Sequence, residues 1–384
     1  MALPATAPAL PAAPGLRELL RSLSPANVVR VYKVLRAVRF FRGHRYVYGR
    51  ALENYARILF LRQRRLRVAE LSLGNACQLR CEHCYATDLT TATAPLAEVK
   101  ASIDALDRLG CLSIMLVGGE PTLRKDLLDI VSAIRARRMV PFMFSNAQLL
   151  DRERLAELKD AGLFGLMVSV LGVGERHDAF VHQEGAFARA LAAVDAAREL
   201  GLFVSLNTTP THQLLAAGEF TALARLAEAR GVGLKFNYPA LLGRFAGRDE
   251  ELLDAAERRF LDQELDKPHV SNDMRTSYFD RTCPAGAFAL YVADNGEVTP
   301  CAYIPISFGN LHEEPIETIH QRMVTSPFFG RVQRLCLVGE DRDFIARFVA
   351  PTFAATDLPM RWDKHPLRDE LVAAPRPESS PAAP

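Results

Sequence analysis

Three cysteines, Cys77, Cys81 and Cys84, stand in the run NACQLRCEHCYATD with the spacing C-x3-C-x2-C. Three thiolates on one short loop can wrap three corners of an iron–sulfur cubane and leave its fourth iron open to a small molecule. A structural zinc site wants four closed ligands, and this loop offers three thiols and only His83 besides. Further along, Gly118-Gly119-Glu120-Pro121 closes an apolar run. Two glycines let backbone approach a ligand closely, and a carboxylate accepts from an ammonium group. Near the other end, Cys283, Gly296 and Cys301 fit C-x12-G-x4-C, and Cys336 follows. Cys111 stands apart: it opens an apolar run seven residues before Gly118, about 23 Å away at strand rise, and is read as a buried structural thiol.

The elements that must hold these residues begin at Ala69. Six short apolar runs, AELSLG, LSIMLVGG, VPFMFSN, FGLMVSV, LFVSLNTT and GLKFNYP, alternate with stretches of three- and four-residue apolar spacing such as LAEVKASIDALDRLG and AFARALAAVDAAREL. Nearly continuous apolar strands alternating with helices predict a parallel sheet covered by helices, curved or barrel-like, with chemistry at the carboxyl ends of its strands. The cysteine loop follows the first run and the GGEP segment ends the second. Ser145 and Asn146 close the third, Ser169 lies in the fourth, and Asn207 and Thr208 close the fifth. After about residue 240 the alternation is lost. DEELLDAAERRFLDQEL reads as helix, and FALYVADNGEVTPCAYIPI as a hairpin around Asp294-Asn295-Gly296.

These motifs in this order resemble the radical S-adenosylmethionine (SAM) superfamily, whose signature is C-x3-C-x-aromatic-C, with His83 in the aromatic position. The resemblance covers about residues 69–240 and implies a partial (β/α)6 barrel. It implies a [4Fe-4S] cluster on Cys77, Cys81 and Cys84 that binds SAM and cleaves it reductively to a 5′-deoxyadenosyl radical, which takes a hydrogen from a substrate. It assigns cofactor contacts to His83, Gly118, Gly119, Glu120, Pro121, Asn146, Ser169 and Asn207. Two departures are plain: Leu171-Gly172 replaces the family's Asp-Gly after the fourth-strand serine, and His177-Asp178 is followed by no arginine. The C-terminal cysteines resemble the start of SPASM and twitch extensions, without the full seven-cysteine SPASM set. That implies one auxiliary [4Fe-4S] cluster on Cys283, Cys301 and Cys336. An electron donor such as flavodoxin or ferredoxin is expected.

The expected organisation is a disordered 1–15, a basic helical extension at 16–68, the barrel at 69–240, a small α+β twitch-like domain at 241–345 and a C-terminal tail at 346–384 with a disordered end. Seven cysteines in a chain without a secretion-like start favour metal ligation over disulfides and a cytoplasmic place. No run reaches the roughly 18 apolar residues of a spanning helix. Between Arg17 and Arg67 stand fourteen Lys/Arg against Glu18 and Glu53. One reading makes this head a helical cap pairing with the acidic body; another docks it on an anionic membrane surface or a lipid-like substrate. No nucleic acid partner is expected. The substrate, whether small molecule, peptide or lipid, is not named by the sequence. Hydrogen abstraction in biosynthetic or peptide modification is the main reading, and lipid tailoring or adenosyl addition the alternative. A metal-binding electron carrier or interaction module is the reading outside the class.

Overall fold

The computed structural model describes residues 45–61, 65–86, 93–275, 282–330 and 333–372. The expectations for 1–44 and 373–384 lie outside these residues. The six apolar runs become β1 (Val68–Ser72), β2 (Ser113–Val117), β3 (Val140–Ser145), β4 (Gly165–Ser169), β5 (Phe203–Thr208) and β6 (Gly233–Phe236), each parallel to the next. Their outer faces are sealed: Ala69, Ile114, Leu116, Met143, Leu166 and Leu206 have no exposed surface. Burying a residue of leucine size is worth about 1.5–3 kcal/mol, which sets the register of each strand.

The covering helices follow from local signals. Leu96–Arg108 starts behind Pro95, buries Val99, Ile103 and Leu106 on one stripe, and ends before Gly110. Arg152–Ala161 is capped by Asp151, whose side chain accepts from Arg154 N at 2.8 Å, and is closed by Gly162 in the left-handed conformation.

Beyond residue 240 the sheet grows at both edges. β7 (Val270–Asn272) pairs parallel with β6, and β8 (Ala289–Val292) pairs parallel with β1. β8 and β9 (Val298–Thr299) form the expected hairpin around Asp294-Asn295-Gly296. The nine strands run β7-β6-β5-β4-β3-β2-β1-β8-β9. The C-terminal segment also joins the core: β11 (Met360–Arg361) pairs with β10 (Ile306–Ser307), and Phe348, His365 and Leu371 are fully buried.

Of the basic head, helix Arg45–Leu61 is described. Arg50 is 6% exposed and spans the base of the barrel, donating to Cys111 O at 2.7 Å and Arg137 O at 3.0 Å and pairing with Asp107 at 2.7 Å. Asn54 donates to Gly110 O. The helix therefore docks at the amino ends of the strands, opposite the cysteine loop. Leu52 and Phe60 on it are exposed. Among the described residues no helix is long and apolar enough to cross a membrane.

Candidate active site

At the carboxyl ends of the strands the cysteine loop leaves β1 and is clamped from two sides. Gly119 N donates to Gly74 O and Glu120 N to Ala76 O, each at 2.8 Å. A Cβ on Gly118, whose φ is +138°, would lie 2.4 Å from Gly74 O, and one on Gly119 would lie 2.3 Å from Ala76 O. The two glycines thus serve the loop that carries the cysteines. From the other side, Arg244 N donates to Cys84 O at 3.1 Å and its guanidinium to Cys81 O at 3.1 Å. Sequence reasoning missed Arg244, because a Gly-Arg turn following the last barrel strand has no recognisable spacing to the cysteines.

Glu120 is 3% exposed and its carboxylate is closely held. Oε1 accepts from Thr122 N, Thr122 Oγ1 and Ser145 Oγ at 3.1, 2.6 and 2.8 Å, and Oε2 accepts from Asn146 N at 2.8 Å. Burial raises its pKa and these bonds pull the other way. It ties the GGEP turn to the end of β3. Asn146 continues the chain, its Nδ2 donating to Cys77 Sγ at 3.6 Å, where Leu79 N also donates at 3.4 Å.

Burial pushes the Cys77 thiol up, and pushes Cys81 up to about 12 with Cys84 and Cys77 adding to the effect. The three sulfurs therefore lie within electrostatic reach of one another. Among the described residues, no three His, Cys, Asp or Glu side chains converge closely enough for one metal ion. His83 fills the aromatic position as a packed neutral imidazole: desolvation lowers it to about 4, and its ring lies 5.3 Å from Phe180 and 6.5 Å from Phe245.

Ser169 and Asn207 face each other in register on β4 and β5. Asn207 Oδ1, on the inner face with Ser169, is buried with no hydrogen-bond partner, an orphaned polar atom of the kind a polar cofactor satisfies; Thr208 Oγ1 is also unpartnered but shares the outer face with Leu206. Pro121 opens the short turn after Glu120 and is buried beneath it. In the segment without the family arginine, His177 Nδ1 accepts from Leu171 N at 3.0 Å, while Asp178 accepts from Gly185 N at 2.6 Å and Phe187 N at 2.7 Å. Both side chains pin backbone.

The second thiol set lies beyond β8. Cys283 joins an isolated bridge to Gln333, Cys301 follows β9, and Cys336 N donates to Glu340 Oε2 at 2.8 Å. Burial raises all three, Cys283 to about 11, and Cys283 and Cys336 each raise Cys301 further. The three are thus grouped in space from positions far apart in sequence. Cys111 is fully buried and donates to Ser113 O at 3.1 Å, away from both sets.

A parallel half-barrel whose mouth presents three thiols, two obligatory glycines and unsatisfied polar atoms defines an iron–sulfur enzyme acting on a bound small molecule. The comparisons agree. A profile described as the radical SAM superfamily matches residues 71–214, and one described as an iron-sulfur cluster-binding domain, SPASM, matches residues 283–336. The AdoMet-dependent heme synthase of Methanosarcina barkeri is 28% identical over 290 residues, 66% of this chain and 81% of that one. The PqqA peptide cyclase of Rhodopseudomonas palustris is 34% identical over 152 residues, 38% of this chain and 40% of that one. Streptococcus suis SuiB bound to S-adenosylmethionine shares the fold, with a TM-score of 0.57 at 16% identity over 73% of this chain and 71% of that one. The chain carries a radical SAM superfamily domain over residues 71–214 and a SPASM-type iron–sulfur domain over residues 283–336. Its cofactors are iron–sulfur clusters and SAM.

Proposed function

We propose that the protein abstracts a hydrogen atom from a substrate held in the barrel, in a biosynthetic or peptide-modifying step whose net result is an oxidation, cross-link or rearrangement. The observation that carries this reading is the clamped loop of Cys77, Cys81 and Cys84 at the barrel mouth, with a second group of thiols beyond β8. The cluster and SAM, when bound, supply reductive cleavage and the 5′-deoxyadenosyl radical. The protein's own residues supply the rest. Leu79 N and Asn146 Nδ2 donate to the Cys77 sulfur and favour its thiolate. Gly118 and Gly119 leave room for close backbone approach. Asn207 and Ser169 offer polar atoms toward SAM, and the sealed barrel wall excludes water.

Cys283, Cys301 and Cys336 would hold an auxiliary cluster suited to taking an electron from the substrate or to positioning it. A flavodoxin- or ferredoxin-like donor would supply the electron for SAM cleavage. Both kinds of relative, heme synthases and peptide cyclases, are biosynthetic, which fits this class of reaction. The test is an anaerobic assay with dithionite, analysed for free 5′-deoxyadenosine. Its accumulation supports hydrogen abstraction, whereas an adenosylated product without it would favour adenosyl addition.

A further inference from the structure

One carboxylate on the inner wall of the barrel has no partner among the described residues. Glu70 lies at the middle of β1, between the outward Ala69 and Leu71, with Met115 of β2 and Tyr291 of β8 opposite it in register. It makes no hydrogen bond or ion pair among the described residues. Glu70, Met115, Phe144, Ser169, Lys235 and Tyr303 all keep part of their surface accessible, while the outer residues of the same strands are sealed.

The charges around Glu70 do not balance. Asp273 and Lys235 are the other charged groups that act on it, and they are paired with each other at 2.6 Å. Among the described residues two carboxylates therefore share one ammonium, and that ammonium lies 5.0 Å from the Phe144 ring centroid. Burial, with Asp273 adding and Lys235 opposing, pushes Glu70 up to about 7. A carboxylate in that state lacks a counter-ion, and a bound cation would provide one. The walls suit a cation as well. Tyr85, Tyr291 and Tyr303 all feel the charge of Glu70, and Tyr85 and Tyr303 meet edge to face at 5.3 Å. Tyr85 follows Cys84 and Tyr303 lies two residues after Cys301, so this space lies between the two thiol sets.

The geometry points to the lumen beside Glu70 as the subsite for a positively charged group of the substrate, a primary or secondary ammonium, seated against Glu70 and walled by Tyr85, Tyr291 and Tyr303. This rests on the reading of the barrel as the site of hydrogen abstraction, and it names the chemical class that reading leaves open. An anionic group at this place would meet an unneutralised carboxylate.

The test uses the full chain, anaerobically reconstituted and loaded with SAM, titrated calorimetrically with 2-phenylethylammonium and with 3-phenylpropionate. The ammonium probe should bind at least tenfold tighter than the carboxylate. Glu70→Gln should lower its affinity tenfold or more with SAM binding unchanged, and Lys235→Met should tighten it. Absence of ammonium binding to the wild type, or equal affinity in Glu70→Gln, overturns the subsite. Should Glu70→Gln lose SAM binding through misfolding, Asp273→Asn decides: a weakened ammonium affinity supports the subsite and an unchanged one overturns it. Free 5′-deoxyadenosine in the wild-type assay separates the two levels. Its absence sinks the hydrogen-abstraction reading on which the subsite rests, and its presence with an unaltered Glu70→Gln titration sinks the subsite alone.

Discussion

Gly118 and Gly119 carry no side chain because none fits between the second strand and the cysteine loop. Gly118→Ala would both strain a positive φ and drive a Cβ against Gly74 O. The expected cost is about 1–3 kcal/mol in anaerobic denaturation, with weakened SAM binding; unchanged stability and SAM affinity would contradict the clamp. Glu120→Ala strips the acceptor from Ser145, Thr122 and the Asn146 amide. Leaving such buried donors unsatisfied costs about 1–3 kcal/mol, so the variant should lose stability as well as SAM affinity, and a variant as stable as wild type would refute the structural half of that role. The motifs themselves were legible, since cysteine spacing and a GGEP turn are local. What Glu120 holds was not, because its partners come from β3, and pairing across strands leaves no mark in a single run of residues. Glu70 was invisible for the same reason: a lone Glu in an apolar strand becomes informative only when its neighbours across the barrel are known.

The βα units were readable because each strand is a continuous apolar run flanked by helices of clear periodicity. β7 and the pairing of β8 with β1 escaped that reading, since three- and four-residue strands carry no period and their parallel partners are remote. The irregular turns after residue 345 hide their packing similarly. Within these elements, the loop after β4 carries a pH signature. His177 is 1% exposed, and desolvation lowers it to about 4 from an ordinary 6.5. A depressed folded pKa gives stability that is present above about 6.5 and lost as pH falls toward 4, because the unfolded chain takes the proton first. The shift amounts to about 3 kcal/mol at roughly 1.4 kcal/mol per unit. Denaturation between pH 7 and 4.5 should show that loss, flattened in His177→Gln; identical slopes in both proteins would disprove the assignment.

On the scale of the whole molecule, the basic head divides by what is described of it. Arg50 behaves as a cap residue, joining its helix to Asp107 and to two carbonyls at the base of the barrel. Arg50→Ala should cost about 1–3 kcal/mol, since it leaves buried acceptors unpaired, and should expose helix Arg45–Leu61 to limited proteolysis while SAM cleavage persists. Loss of cleavage with the helix still protected would place that residue in the chemistry instead. The base and the mouth of the barrel thus have separate tasks, docking at one end and cofactor binding at the other.

The measurement that bears most directly on this account is iron counting after anaerobic reconstitution, joined to a reduced assay for SAM cleavage. Wild type should hold about eight irons, and a Cys77/Cys81/Cys84 triple Ala variant about four with no cleavage. A Cys283/Cys301/Cys336 triple Ala variant should also hold about four. Four irons in the wild type would remove the auxiliary cluster, and a wild type with neither iron nor cleavage would contradict the central claim.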